Sequence, residues 1–234
     1  MLWWWIFFAF FILAMLALDL GVFNRKSHVI KMKEAMLWTL FWVTLALLFG
    51  TGIYFFYGHG KAIEFLAGYL IEYSLSIDNL FVFMLIFRFF NVPRAYEHKA
   101  LFWGILMALA TRAVFIFAGV ALINTFSWVM YIFGAFLIFT GIKMALNKQT
   151  EVHPDKNIAI KLLRYVIPVT SRFSGARFFV VKRGVRHATP MLAVLLALET
   201  TDILFAIDSI PAVLAISKDP FIIYTSNVFA ILGL

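Results

Sequence analysis

The chain has 234 residues, of which 64% are hydrophobic and 14% charged, with a net charge of +8 and no cysteine. Ordinary globular chains are about half apolar and a quarter charged, and a soluble domain could not bury this much apolar surface. These figures exclude a soluble enzyme, a disordered tail, a disulfide scaffold, thiol catalysis and thiolate metal centres, and leave an all-α polytopic transmembrane helix bundle.

Apolar runs of about 20 residues, long enough to cross a bilayer, follow one another along the chain. They cover Leu2–Leu20, Ala35–Tyr57, Ile63–Phe87, Ala100–Ile123, Phe126–Leu146 and Pro190–Ile216. A seventh begins at Phe221 and is cut short at Leu234, which predicts a longer natural chain with further helices. The first run lacks the basic start and small-residue cleavage site of a signal peptide, and Trp3, Trp4 and Trp5 suit an interfacial anchor, so it is read as a retained helix.

The basic residues alternate. Arg25, Lys26, Lys31 and Lys33 follow the first run, and Arg88, Arg94 and Lys99 follow the third. Lys143, Lys148, Lys156, Lys161, Arg164, Arg172, Arg177, Lys182, Arg183 and Arg186 follow the fifth, while the opposite connections hold only Lys61 and Lys218. The positive-inside rule then puts the N-terminus outside and these basic connections in the cytosol of a multi-pass inner (plasma) membrane protein. The charge is read as this topological signal, with attraction to anionic lipid headgroups, and not as a nucleic-acid footprint. Three parts result: residues 1–142 as a first transmembrane half, 143–189 as a basic cytosolic connection, and 190–234 as the sixth run and the short seventh. In the connection, Ile158–Ile167 has the pattern of an interfacial amphipathic helix, and residues 178–187 that of a small hairpin. It is a gate, a protein-partner surface or a plain linker.

Five acids fall inside the apolar runs: Glu72 and Asp78 in the third, and Glu199, Asp202 and Asp208 in the sixth. Each carries a burden of about 2.5–3.5 kcal/mol near a bilayer centre, and such residues are functional candidates by default. Glu72-x5-Asp78-Asn79 and Asp202-x5-Asp208-Ser209 repeat at a constant offset of 130. The charge topology runs the two segments in opposite directions, which marks an inverted-topology repeat with its site near the midplane. At 3.6 residues per turn Glu72, Ser76 and Asn79 share one stripe, as do Glu199, Asp202, Ala206 and Ser209, with Asp78 and Asp208 about 120° away. Gathering all the acids requires a broken helix or a site shared among several helices. Pro211 supplies a break in the sixth run, freeing the Ile207 carbonyl for a ligand. These oxygen donors, with no histidine in the motif, suit a hard divalent cation such as Mn²⁺.

The stretches EYSLSIDNLFVF (Glu72–Phe83), ATPMLAVLLALETTDILFAIDSIPAVLAIS (Ala188–Ser217), ALDLGVFNRK (Ala17–Lys26) and TSNVFAILGL (Thr225–Leu234) resemble the TerC/Alx family of integral membrane proteins. That resemblance, spanning essentially the whole chain, implies membership of the LysE-type transporter grouping, a link to tellurite resistance, and Mn²⁺ efflux. It carries Glu72, Asp78, Asn79, Asp202, Asp208 and Ser209 over as the metal-site positions. Ser76, Glu199, Asp19, Arg112 and Ile207 are accessory candidates. Arg112 reads as a structural counter-charge that is also able to stand in the empty cation site. Asp19 is either a cytosolic-entrance ligand or an interfacial cap, and Glu199 a proton carrier or supporting acid. The bland alternative for the acids is interhelical pairing. No Walker motif, nucleophile–base pair or histidine metal triad appears, so the chain is read as a non-enzymatic exporter. It has no tightly bound cofactor, and the cation is its substrate. The competing function is a membrane scaffold for tellurite or envelope stress resistance, working through partners at the basic connection.

Overall fold

A computed structural model of the chain describes residues 2–18, 32–146, 158–182 and 184–233. In order, its elements are α1 (Leu2–Leu18), α2 (Met32–Tyr57), α3 (His59–Phe89), α4 (Arg94–Thr125), α5 (Val129–Leu146), α6 (Ile158–Val166), β1 (Phe179–Lys182), β2 (Val185–Ala188), α7 (Pro190–Ile216) and α8 (Pro220–Leu232). In lipid every backbone polar group needs a partner within the protein, and a helix supplies one inside a single segment. The apolar runs accordingly become helices, and α2, α3, α4 and α7 are long and apolar enough to cross a membrane.

Some ends differ from expectation. The last two residues of the first expected run, Asp19 and Leu20, lie outside the described residues. The fifth run opens with a turn at 126–128, where the Val129 N–H donates to the Phe126 carbonyl, before α5 begins. Only Gly58, with φ of 88°, separates α2 from α3, a left-handed reversal that favours glycine. Asp219 caps α8 by accepting from the Phe221 N–H at 3.0 Å, with Pro220 in the first turn.

The helix α7 lies among the others. Its first half packs Met191, Val194 and Leu198 against Ile86 and Phe87 of α3, and its second half packs Ile210, Val213 and Leu214 against Ile116 and Val120 of α4. Phe8, Trp42, Phe65 and Phe229 join α1, α2, α3 and α8 in a second core. Two glycines let helices approach closely: a Cβ at Gly68 would meet Ser226 Oγ at 2.8 Å, and one at Gly119 would meet Leu214 Cδ1 at 2.7 Å. The start of α3 meets the end of α7 through a hydrogen bond from the Ser217 hydroxyl to Glu64. With the opposite ends joined through Phe87 and Met191, α3 and α7 are antiparallel neighbours.

The described residues just before α7, 158–182 and 184–189, fold into a cap with the expected elements. On α6, Ile160 and Leu163 are buried while Ile158, Leu162, Tyr165 and Val166 are exposed. Strands β1 and β2 pair antiparallel, Phe179 opposite Ala188 and Lys182 opposite Val185. Beneath the cap lies a cavity of about 270 Å³, lined by Phe89, Phe90, Ile160, Leu163, Pro190 and Ala193 among others.

Candidate functional site

Three helices bring charge to the middle of the bundle. Glu72 on α3, Asp202 on α7 and Arg112 on α4 sit near the midpoints of their helices and are buried, Arg112 and Glu72 to 1% exposure. Arg112 Nη2 donates to Asp202 Oδ1 at 2.9 Å and Nε to Oδ2 at 3.3 Å, a forked pairing that a planar guanidinium suits. Nη1 donates to Glu72 Oε1, and Asn227 Oδ1 of α8 lies 3.5 Å from the same nitrogen. One guanidinium between two carboxylates leaves the trio short of positive charge. Among the described residues, Glu72 Oε2, Asn227 Nδ2 and the hydroxyls of Ser76 and Ser209 have no hydrogen-bond partner. Each such buried atom costs about 1–3 kcal/mol, so this polar core has unused capacity for a further polar or charged guest. One turn before Asp202, Glu199 Oε1 accepts from the Thr111 hydroxyl at 2.6 Å, and Oε2 is unpartnered.

The repeat in sequence is also a repeat in burial. From Glu72 to Asn79 the residues run buried, half-buried, exposed, half-buried, buried, exposed, exposed, buried, and Asp202 to Ser209 runs the same way. Glu72 and Asp202, equivalent under the offset of 130, both grip Arg112. Ser76 and Asn79 continue the buried stripe of α3, and Ser209 that of α7.

Asp78 and Asp208 do not join them. Six residues along an unbroken helix turn a side chain about 120° away and advance it about 9 Å, and both aspartates are exposed. The expected break at Pro211 is absent: α7 continues as helix from Pro190 to Ile216, because neighbouring helices in a bundle accommodate one missing backbone bond. Ile207 lies beside Asp208 on the exposed face. Since α3 and α7 are antiparallel, Asp78 is displaced from the trio toward the hairpin end and Asp208 toward the other end. Among the described residues no three of His, Cys, Asp and Glu gather to hold an ion. The six expected ligands are strung along the two helices at different depths, and Asp19 lies outside the described residues.

Two contributors escape sequence reasoning, Thr111 and Asn227. Thr225, Ser226 and Asn227 are consecutive polar residues in an apolar run, all buried, and that run of three was the available signal. A second polar cluster, also unforeseen, ties the ends of α3 and α7 far from the hairpin. Lys61 Nζ lies 2.7 Å from Glu64 Oε2 and 4.0 Å from Asp219 Oδ2, and Ser217 donates to the same Glu64 oxygen.

Residues 57–234, which include both motifs and Arg112, match the integral membrane protein TerC family. The chain belongs to that family. Among its relatives, an uncharacterized membrane protein of Myxococcus xanthus, STKORF319, is 54% identical over 230 residues, 98% of this chain and 72% of that protein. A protein of Escherichia coli K12, provisionally named membrane-bound redox modulator Alx, is 44% identical over 97% of this chain and 74% of its own length. An uncharacterized membrane protein of Rickettsia bellii is 43% identical over 98% of this chain and 76% of its own. No solved structure matches significantly. The chain is therefore a multi-pass membrane protein of the TerC family, as the motif resemblance implied.

Proposed function

We propose that this TerC-family protein exports a hard divalent cation, best fitted by Mn²⁺, across the inner membrane. The N-terminus is then outside and the 143–189 connection in the cytosol. The observation that carries this reading is the symmetric placement of acids about a buried, electron-rich core. Asp78 lies about 9 Å to the hairpin side of the Glu72–Asp202 pair and Asp208 about 9 Å to the other. In the positive-inside orientation these become a cytosolic step, a midplane site and an external step. A bare carboxylate against lipid costs about 2.5–3.5 kcal/mol, so the faces bearing Asp78 and Asp208 border water or protein rather than acyl chains. Rocking of the two antiparallel repeats would open the midplane alternately to either side. Carboxylate, carboxamide and hydroxyl oxygens without thiols favour Mn²⁺, Mg²⁺ or Ca²⁺ over soft metals. Nothing in this reading needs an enzymatic step or a resident cofactor.

A second reading draws on the relatives named as redox modulators and on the folded cap. There the cap recruits a protein partner through Ile158, Leu162, Tyr165 and Val166, which are exposed beside the exposed Lys161, and supports resistance to tellurite or envelope stress. The 234 residues contain no cysteine, so thiol–disulfide exchange would have to run outside them.

Both readings are tested in cells lacking their own manganese exporter. Asp78→Asn and Asp208→Asn should insert normally yet leave cellular manganese as high as in cells without the protein, whereas deletion of residues 158–188 should retain export. Aspartate variants that lower manganese as well as wild type, together with a dead deletion, would favour the scaffold.

A further inference from the structure

The geometry points to Arg112 as a tethered counter-cation that fills the Glu72–Asp202 site in this conformation and must withdraw before a divalent cation binds. This inference rests on the export reading above and adds to it what holds the site between cargoes. Arg112 takes both oxygens of Asp202 and Oε1 of Glu72, three of the four carboxylate oxygens of the pair. A hard divalent cation wants about six oxygen ligands, and while the fork is closed only Glu72 Oε2 is on offer from these two acids. Cation and guanidinium would also repel across a few ångströms of low-dielectric protein, so the two alternate rather than share.

An ordinary structural ion pair has a different appearance. It is charge-balanced and its polar atoms are satisfied, since an unsatisfied buried charge is strongly destabilising. Here a second carboxylate is in excess, and Glu72 Oε2 and the Nδ2 of Asn227, whose Oδ1 stands beside Arg112, are left without partners. Glu72 Oε2 would serve a bound cation directly, and the Asn227 amide N–H would donate to a water in its shell. Arg112 also has somewhere to turn: Asn227 Oδ1 already stands 3.5 Å from Nη1 on the α8 side. With Arg112 in place the unloaded carrier need not carry two bare carboxylates through the midplane. With Arg112 out, the same oxygens serve the cargo. Release of the cation and return of the guanidinium are then one exchange.

The test is Mn²⁺ binding to the purified full chain in nanodiscs, compared among wild type, Arg112→Lys and Arg112→Gln, each checked for folding by thermal melting. An internal competitor weakens apparent affinity by the fraction of molecules in which it has left, so removing it should tighten binding by at least about tenfold in Arg112→Gln. Arg112→Lys keeps the charge but loses the planar fork, and should fall between. Tighter binding should come with slower manganese export by the same variants in cells. If Arg112→Gln does not fold, Arg112→Lys decides alone by binding more tightly than wild type. Folded variants that bind Mn²⁺ no more tightly than wild type overturn the inference and leave the export reading standing. If wild type and every variant fail to bind Mn²⁺, the export reading falls and takes this inference with it.

Discussion

Replacing Arg112 by glutamine leaves two buried carboxylates facing each other without their shared cation, whereas replacing Asp202 by asparagine leaves one carboxylate paired with one guanidinium. The two perturbations should therefore differ in kind. A unit pair about 4 Å apart is worth about 4 kcal/mol at an effective dielectric near 20, and Arg112 makes two such pairs. Much of that gross gain offsets the desolvation of burying three charges, so loss of the shared cation should cost about 3–5 kcal/mol. Asp202→Asn, or Glu72→Gln, keeps a neutral pair and retains an oxygen acceptor, and should cost about 1–3 kcal/mol. The assay is reversible denaturation in mixed micelles, with chelator present to remove adventitious divalent ions. Adding Mn²⁺ should recover more stability in Arg112→Gln than in wild type, because the tighter ligand shifts the unfolding equilibrium further. If Asp202→Asn proved as destabilising as Arg112→Gln, the charge accounting at the centre of the bundle would be wrong.

Other outcomes follow from particular contacts. Asp78→Asn and Asp208→Asn, both exposed, should stay within about 0.5 kcal/mol of wild-type stability while losing manganese export, which separates function from folding. Thr111→Val removes the donor to Glu199 Oε1 and leaves both oxygens of that acid unpaired, at about 1–3 kcal/mol in the same denaturation assay. Ser217→Ala breaks the tie between α7 and Glu64, and faster amide exchange around the start of α8 should report a loosened end at a cost of about 1 kcal/mol. Gly68→Val forces α3 away from Ser226 on α8 and should cost about 1–3 kcal/mol, against a near-neutral Gly60→Ala, where a Cβ meets nothing within 4 Å.

Much of the architecture can be read from residue type alone, and the reason is the solvent. Lipid leaves a long apolar segment no alternative to helix, so α2, α3, α4 and α7 follow from composition. The cap follows from patterns equally local: apolar positions of α6 at helical spacing, and alternating residues either side of Gly184, whose φ of 77° suits a hairpin turn. The stripe of Glu72, Ser76 and Asn79, and the position of Asp78 off it, also follow from 100° per residue. What does not follow is how the helices are rotated against one another. Nothing local makes Arg112 face both α3 and α7, or turns Asn227 toward it, because those contacts depend on packing set by Gly68, Gly119 and the aromatic cores. The break expected at Pro211 failed for a similar reason: a bundle supports a proline that an isolated helix would yield to.

Manganese flux through the purified protein is the decisive measurement. Reconstituted in liposomes that enclose a fluorescent Mn²⁺ indicator, the wild type should carry Mn²⁺ inward in a saturable manner when the ion is added outside. The double variant Glu72→Gln/Asp202→Asn, reconstituted to the same density, should carry none. A wild type no faster than empty liposomes, or a double variant as fast as wild type, would contradict the assignment of these paired acids as the cation path.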